Sequence, residues 1–233
     1  MTEQYTLHNR LGSGGFVVQA ACAVANVPLA YTPLVSKPNE SLGRLVEGVN
    51  DWGQVPVLSL ADGSRITEVA AILAYLAHTE PAITHGPRLW IDNHPAFLRW
   101  SVFLAVNVYE GILRQSYTEQ YVSRVDEIER TETQPRSGAV DALVMRSVRA
   151  GAKKRNHDAF RFLERETAGH RFLLSDRLSA CDILLAMLYA WHNRKPDLPK
   201  CTWITEHVAT HDIIRPIWKQ NFHDRLDFKW HEL

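Results

Sequence analysis

Gly53-Gln54-Val55-Pro56-Val57-Leu58, followed by Ile66-Thr67-Glu68-Val69 and the apolar run from Ala70 to Tyr75, is the stretch on which the reading of this chain turns. An apolar β-type run with a proline near its start is poor material for a central strand unless the proline marks a special backbone, often a cis bond. Val55-Pro56 is therefore expected to form a bend. The turn pair Asp62-Gly63 joins this run to a second short one, Ser64 to Ile66, as an antiparallel hairpin. Thr67 is then placed to cap a helix, with Glu68 at the same end and Val69, Ile72, Leu73 and Leu76 as its apolar stripe. Backbone exposed beside the proline and the first amides of that helix share one edge. Taken alone, these residues also describe an edge strand followed by an ordinary cap.

A second signal lies far downstream. Leu178-Ser179-Ala180-Cys181-Asp182-Ile183 reads as a helix start, with Ser179 as N-cap, Asp182 at the third helical position and Leu178 and Ile183 as the flanking apolar pair. The run to Trp191 is almost wholly apolar, so the helix it opens is expected to be buried all round. This element serves folding, not chemistry.

Working outward, Gln4 to Asn9 is a short strand, Phe16 to Ala25 a helix and Pro28 to Leu34 a second strand, a βαβ opening that implies a parallel pair. A variable stretch, Lys37 to Asn50, precedes the hairpin and its helix. Thr79 to Pro87 breaks both periodicities with Pro81, Gly86 and Pro87. The remainder is helical: Pro95 opens a helix to about Tyr117, Ala139 to Thr167 forms another, and shorter helices follow the Ser179 cap around Trp203 to Ala209 and Asp212 to Gln220. The polar segment Ser123 to Ser137 reads as an insertion near the mouth of a site.

Composition bounds the function. The 233 residues are 45% hydrophobic and 22% charged, with formal net charge zero, which argues against a polyanion partner such as nucleic acid. Lys153-Lys154-Arg155 is the compact basic run, read as a solvated helix face. Cys22, Cys181 and Cys201 are too scattered for a disulfide framework or a Cys-x-x-Cys site, pointing to a reducing compartment. No signal peptide and no uninterrupted apolar stretch of spanning length is recognisable, so a cytoplasmic protein outside the membrane is expected. The eleven histidines are dispersed; His207 and His211 alone have i, i+4 spacing, across what reads as a helix break, so no metal site is expected.

The Val-Pro, the hairpin and the acidic residue opening the next helix, with the distant Ser-x-x-Asp in the right order, resemble the cytosolic glutathione transferases. The resemblance covers most of the chain. It implies an α+β, thioredoxin-like domain over residues 1–79 and an all-α domain over residues 88–233. By the same resemblance the main chain of Val55, beside Pro56, pairs with the cysteinyl part of glutathione, Glu68 and Val69 hold its γ-glutamyl end, and Lys37 and Gln54 meet its glycyl end or main chain. The family usually carries Ser or Thr after the acidic residue, where this chain has Val69, which offers its amide and the dipole of a helix start. Cys181 stands where the family's cap motif usually has Ala.

An ordinary thiol titrates near about 8.5, leaving little thiolate at neutral pH, so a donor at the start of the first helix is needed to activate it. In Leu11-Gly12-Ser13-Gly14-Gly15-Phe16, Ser13 falls where serine-type members keep their catalytic hydroxyl; it also suits a plain helix cap. His8, Asn9 and Arg10 are reserve donors, and Tyr5 falls too early. Gly14 stands where some bacterial members have cysteine, which disfavours mixed-disulfide chemistry. The glycines lack the spacing of a nucleotide-binding loop. The electrophile pocket is expected between Phe16 and Tyr109, Ile112, Leu113 and Tyr117, positions that equally suit core packing. The implied activity is conjugation of glutathione, as co-substrate, to small hydrophobic electrophiles in detoxification, by a homodimer. The alternatives are a binding module without catalysis, or a glutathione-dependent isomerase, dehalogenase or peroxidase.

Overall fold

A computed structural model of the protein describes residues 5–34, 48–91, 94–122, 138–192 and 197–223. Lys37 and the segment Ser123 to Ser137 lie outside the described residues.

The alternation of Tyr5, Leu7 and Asn9, all buried, with Thr6 and His8 gives strand β1, Tyr5–Asn9. Helix α1, Gly15–Ala25, is apolar on nearly every face and is buried accordingly. Strand β2, Ala30–Pro33, lies parallel to β1, pairing Leu7 with Tyr31. Strand β3, Val57–Leu60, runs antiparallel on the other side of β1, and β4, Arg65–Thr67, forms its hairpin partner. The sheet order is therefore β2-β1-β3-β4. The Asp62-Gly63 turn behaves as its residues require: Gly63 takes φ 84°, and Asp62 accepts the Ser64 amide at 2.8 Å. The bond between Val55 and Pro56 is cis, immediately before β3.

Helix α2, Val69–Thr79, buries Val69, Ile72, Leu73, Leu76 and Ala77, the expected stripe. The periodicity break that follows is not wholly irregular, because Pro81 opens a short helix, α3, Pro81–His85, at a position where proline's missing N–H costs nothing. Helix α4 runs His94–Ser116 and contains a π-helical segment, Leu104–Tyr109. By length and composition it is apolar enough to cross a membrane, although Arg99, Glu110 and Arg114 interrupt it.

Helix α5, Gly138–Glu166, packs along the second half of α4, and the Lys153 to Arg155 run is exposed on it, Lys154 pairing with Asp158 at 2.6 Å. Every residue of α6, Ala180–Trp191, is buried. Helices α7, Pro199–Thr210, and α8, Ile214–Phe222, close the described chain, with α7 against α6 and α8 against α1.

The start of α6 is tied by one carboxylate. Asp182 accepts the Ser179 amide at 2.8 Å and the Ser179 hydroxyl at 2.5 Å through one oxygen, and the Leu173 amide at 2.8 Å through the other. Burial pushes Asp182 up to about 6, against the pull of these hydrogen bonds.

Candidate functional site

The turn between β1 and α1 is built from short residues because three elements converge on it. Gly12, at φ 69°, makes the bend that a side chain would resist, and its amide donates to Asn221 Oδ1 of α8 at 3.0 Å. Gly15 admits the buried side chain of Asn9, since a methyl on Gly15 would lie 2.1 Å from Asn9 Cγ. Asn9 Oδ1 in turn accepts the Gly15 amide at 3.2 Å, capping α1 from the end of β1. Gly14 is the meeting point: a methyl there would lie 2.7 Å from Val69 Cγ2, 3.0 Å from the Tyr109 hydroxyl and 3.2 Å from Pro56 Cδ. A cysteine side chain has no room at this position, which gives a steric reason for glycine.

Ser13 is buried, 4% exposed, in front of α1. Its hydroxyl donates to Asn9 Oδ1 at 2.6 Å and lies 2.7 Å from the Arg10 carbonyl oxygen. It does not cap α1 with its side chain, because Gly14 is the N-cap and the helix amide goes to Asn9. Asn9 and Ser13 thus form one internal network, with Asn9 Nδ2 unpartnered among the described residues. His8 is turned away to Ser59 at 3.0 Å, and Tyr5 donates to Glu80 at 2.6 Å at the far end of the strand.

Thr67 is not the cap of α2. It pairs with Val57 as the last residue of β4, and Glu68 holds the N-cap position, its carbonyl accepting the Ile72 amide at 2.9 Å. Strand and helix therefore meet with no linker, and the chain reverses within Glu68 itself, at φ 66° and ψ 116°. A non-glycine residue at positive φ costs on the order of 1 kcal/mol or more, and such residues cluster at binding sites. Glu68 is exposed, Val69 is buried, and Val55 is half-buried beside an exposed Gln54 whose carbonyl accepts Asn50 Nδ2 at 2.8 Å.

Tyr109 is the residue that sequence reasoning underused. It ends the π-helical segment of α4, packs on Trp191 with ring centroids 5.4 Å apart, and brings its hydroxyl to the start of α1, against Gly14. Burial pushes that hydroxyl well above the ordinary tyrosine range, Tyr117 and Glu68 push the same way, and Arg10 opposes them. Two residues expected in the electrophile pocket are instead core. Phe16 is wholly buried, its ring edge-on to Trp218 and Phe222 at 5.4 and 4.8 Å, and Ile112 is 2% exposed. The reason is that α1 is covered by α8, so its first aromatic turns inward. Leu113 and Tyr117 keep partial exposure on α4 and just beyond it. A cavity of about 400 Å³ lies elsewhere, lined by Lys153, Lys154, His157, His192 and Asp197.

His207 and His211 have ring centroids 6.5 Å apart, and His207 is stacked on Trp203. Among the described residues no group of three or more His, Cys, Asp or Glu is arranged to hold a metal ion.

No family model and no curated protein matches the chain. Solved structures do. A glutathione transferase homologue from Sulfitobacter with bound glutathione is 16% identical, with a TM-score of 0.69 over 93% of this chain and 97% of that one. Ure2p, a yeast prion protein, in complex with glutathione is 18% identical, with a TM-score of 0.70 over 93% of this chain and 99% of that one. A glutathione S-transferase from Xylella fastidiosa is 13% identical, with a TM-score of 0.69 over 92% and 97%. At such identities the likeness is one of architecture, and it extends over nearly the whole of both chains: this protein has the glutathione transferase fold, a thioredoxin-like sheet unit followed by a helical one.

Proposed function

We propose that the protein binds glutathione and transfers its thiolate to small hydrophobic electrophiles. The observation that carries this reading is the convergence at Gly14, where Pro56, Val69 and the first amides of α1 meet beside a positive-φ Glu68. An open main-chain edge, two helix starts and an acid held in a costly conformation suit a zwitterionic peptide. In this reading the main chain of Val55 pairs with the cysteinyl unit, Glu68 and the Val69 amide hold the γ-glutamyl end, and Gln54 and Lys37 serve the glycyl end.

The sulfur then sits at the start of α1. Its proton passes to solvent, its lone pair forms the new bond to the electrophilic carbon, and the leaving group departs with its electrons. Ser13 takes part as a donor only by turning its hydroxyl from Asn9 and the Arg10 carbonyl towards the sulfur. The electrophile lies against Tyr109, Leu113 and Tyr117.

The proposed division into a glutathione-binding domain, 1–79, and a helical domain, 88–233, follows the same assignment. A cytoplasmic homodimer is proposed as well, supported by the exposed apolar positions Leu98, Val102 and Val106, four apart on α4, and by Trp52, 78% exposed. The inward bonds of Ser13 favour a second reading, a glutathione-binding module without transferase activity.

Calorimetric titration with reduced glutathione, combined with the thiolate absorbance of the bound tripeptide against pH, separates these readings. Binding with a thiol titrating below its ordinary value is expected of the transferase; binding with an unchanged thiol identifies the module; absence of binding overturns both. Ser13→Ala with a panel of electrophiles tests the serine, since activity within about threefold of wild type removes it from the chemistry, where a lost donor costs on the order of a hundredfold.

A further inference from the structure

We infer that Tyr109, supplied by α4, is the catalytic hydroxyl that donates to the glutathione sulfur. The inference rests on the glutathione-binding reading above and deepens it.

Its geometry is particular. The Tyr109 oxygen lies against Gly14, at the start of α1 towards which a thiolate would be drawn. Its hydroxyl is thereby placed where a ligand at the start of α1 would meet it. Ser13, by contrast, donates its hydroxyl to Asn9 Oδ1. The approach of Tyr109 depends on two local features that nothing in packing alone requires. Gly14 has no side chain, and a methyl would come within 3.0 Å of the tyrosine oxygen. The second is the π-helical segment that ends at Tyr109, a geometry that shifts the register of the following side chains and recurs at functional sites.

The electrostatics fit a donor and not a base. Burial, Tyr117 and Glu68 all raise the hydroxyl, and Arg10 is the cation that opposes them, so Tyr109 keeps its proton throughout the neutral range. It stabilises the thiolate by a hydrogen bond to a charged acceptor, the stronger kind, without transferring a proton. The thiol proton itself leaves to water.

Tyr109→Phe retains the ring on Trp191 and removes only the hydroxyl. The expected result is a bound thiol whose pKa rises by about one unit and a kcat lowered about ten- to hundredfold, the worth of one hydrogen bond to a charged group, with KM for glutathione within about threefold. Wild-type protein that binds glutathione with a lowered thiol pKa, together with a Tyr109→Phe variant that keeps both this pKa and kcat, overturns the inference and leaves the glutathione reading standing. Wild-type protein that binds no glutathione overturns both.

Discussion

Glu68 carries more at the residue scale than its chemistry suggests. It is the hinge between β4 and α2, and its φ of 66° is a conformation in which glycine is at ease and glutamate is not. Glu68→Gly is expected to raise stability by about 1 kcal/mol in urea titration while weakening glutathione binding at least about tenfold by calorimetry. A gain in stability without loss of binding would remove Glu68 from the site. The positive φ could not be read in the sequence, because Thr67 is a good capping residue and only the exact hairpin register, in which it pairs with Val57, moves the helix start to Glu68. Tyr109 was concealed for a similar reason. Its spacing with Ile112 and Leu113 suits any apolar face, and its contact with Gly14 depends on a π turn that no local pattern announces.

Among the elements, the α6 start was the most legible, because Ser179, Asp182 and the flanking Leu178 and Ile183 interact over short separations. The hairpin was legible too, through Asp62-Gly63, with its second strand one residue later than the pattern indicated. The inward turn of Phe16 is not legible locally, because α8, whose Trp218 and Phe222 cover it, is distant in sequence. The capping carboxylate has a measurable signature. Asp182 titrates near an ordinary carboxylate value when unfolded and at about 6 when folded, so the folded state binds the proton more tightly. Its contribution to stability is therefore fullest below pH of about 4 and is lost as pH rises to about 6, the reverse of a salt-bridged acid. The stability difference between wild type and Asp182→Asn is expected to fall by a few kcal/mol across that window in urea unfolding followed at several pH values. A difference that stays flat would show that the three hydrogen bonds fully offset the burial.

For the whole molecule, the exposed face of α4 is the feature to test. Leu98, Val102 and Val106 are 38, 52 and 62% exposed, an apolar row that a second copy of the chain would cover. Val102→Glu combined with Val106→Glu is expected to halve the mass seen by light scattering and to leave the circular dichroism of the helices intact. A doubly substituted protein that remains dimeric places the interface elsewhere.

The hydrogen bond from the Gly12 amide to Asn221 joins positions 209 apart in sequence. During synthesis, the corner proposed to receive the sulfur lacks this support until Asn221 has left the ribosome. The sheet and its first helices are made before α8, so a nascent chain can form this sheet before the loop ahead of α1 gains its bond to Asn221.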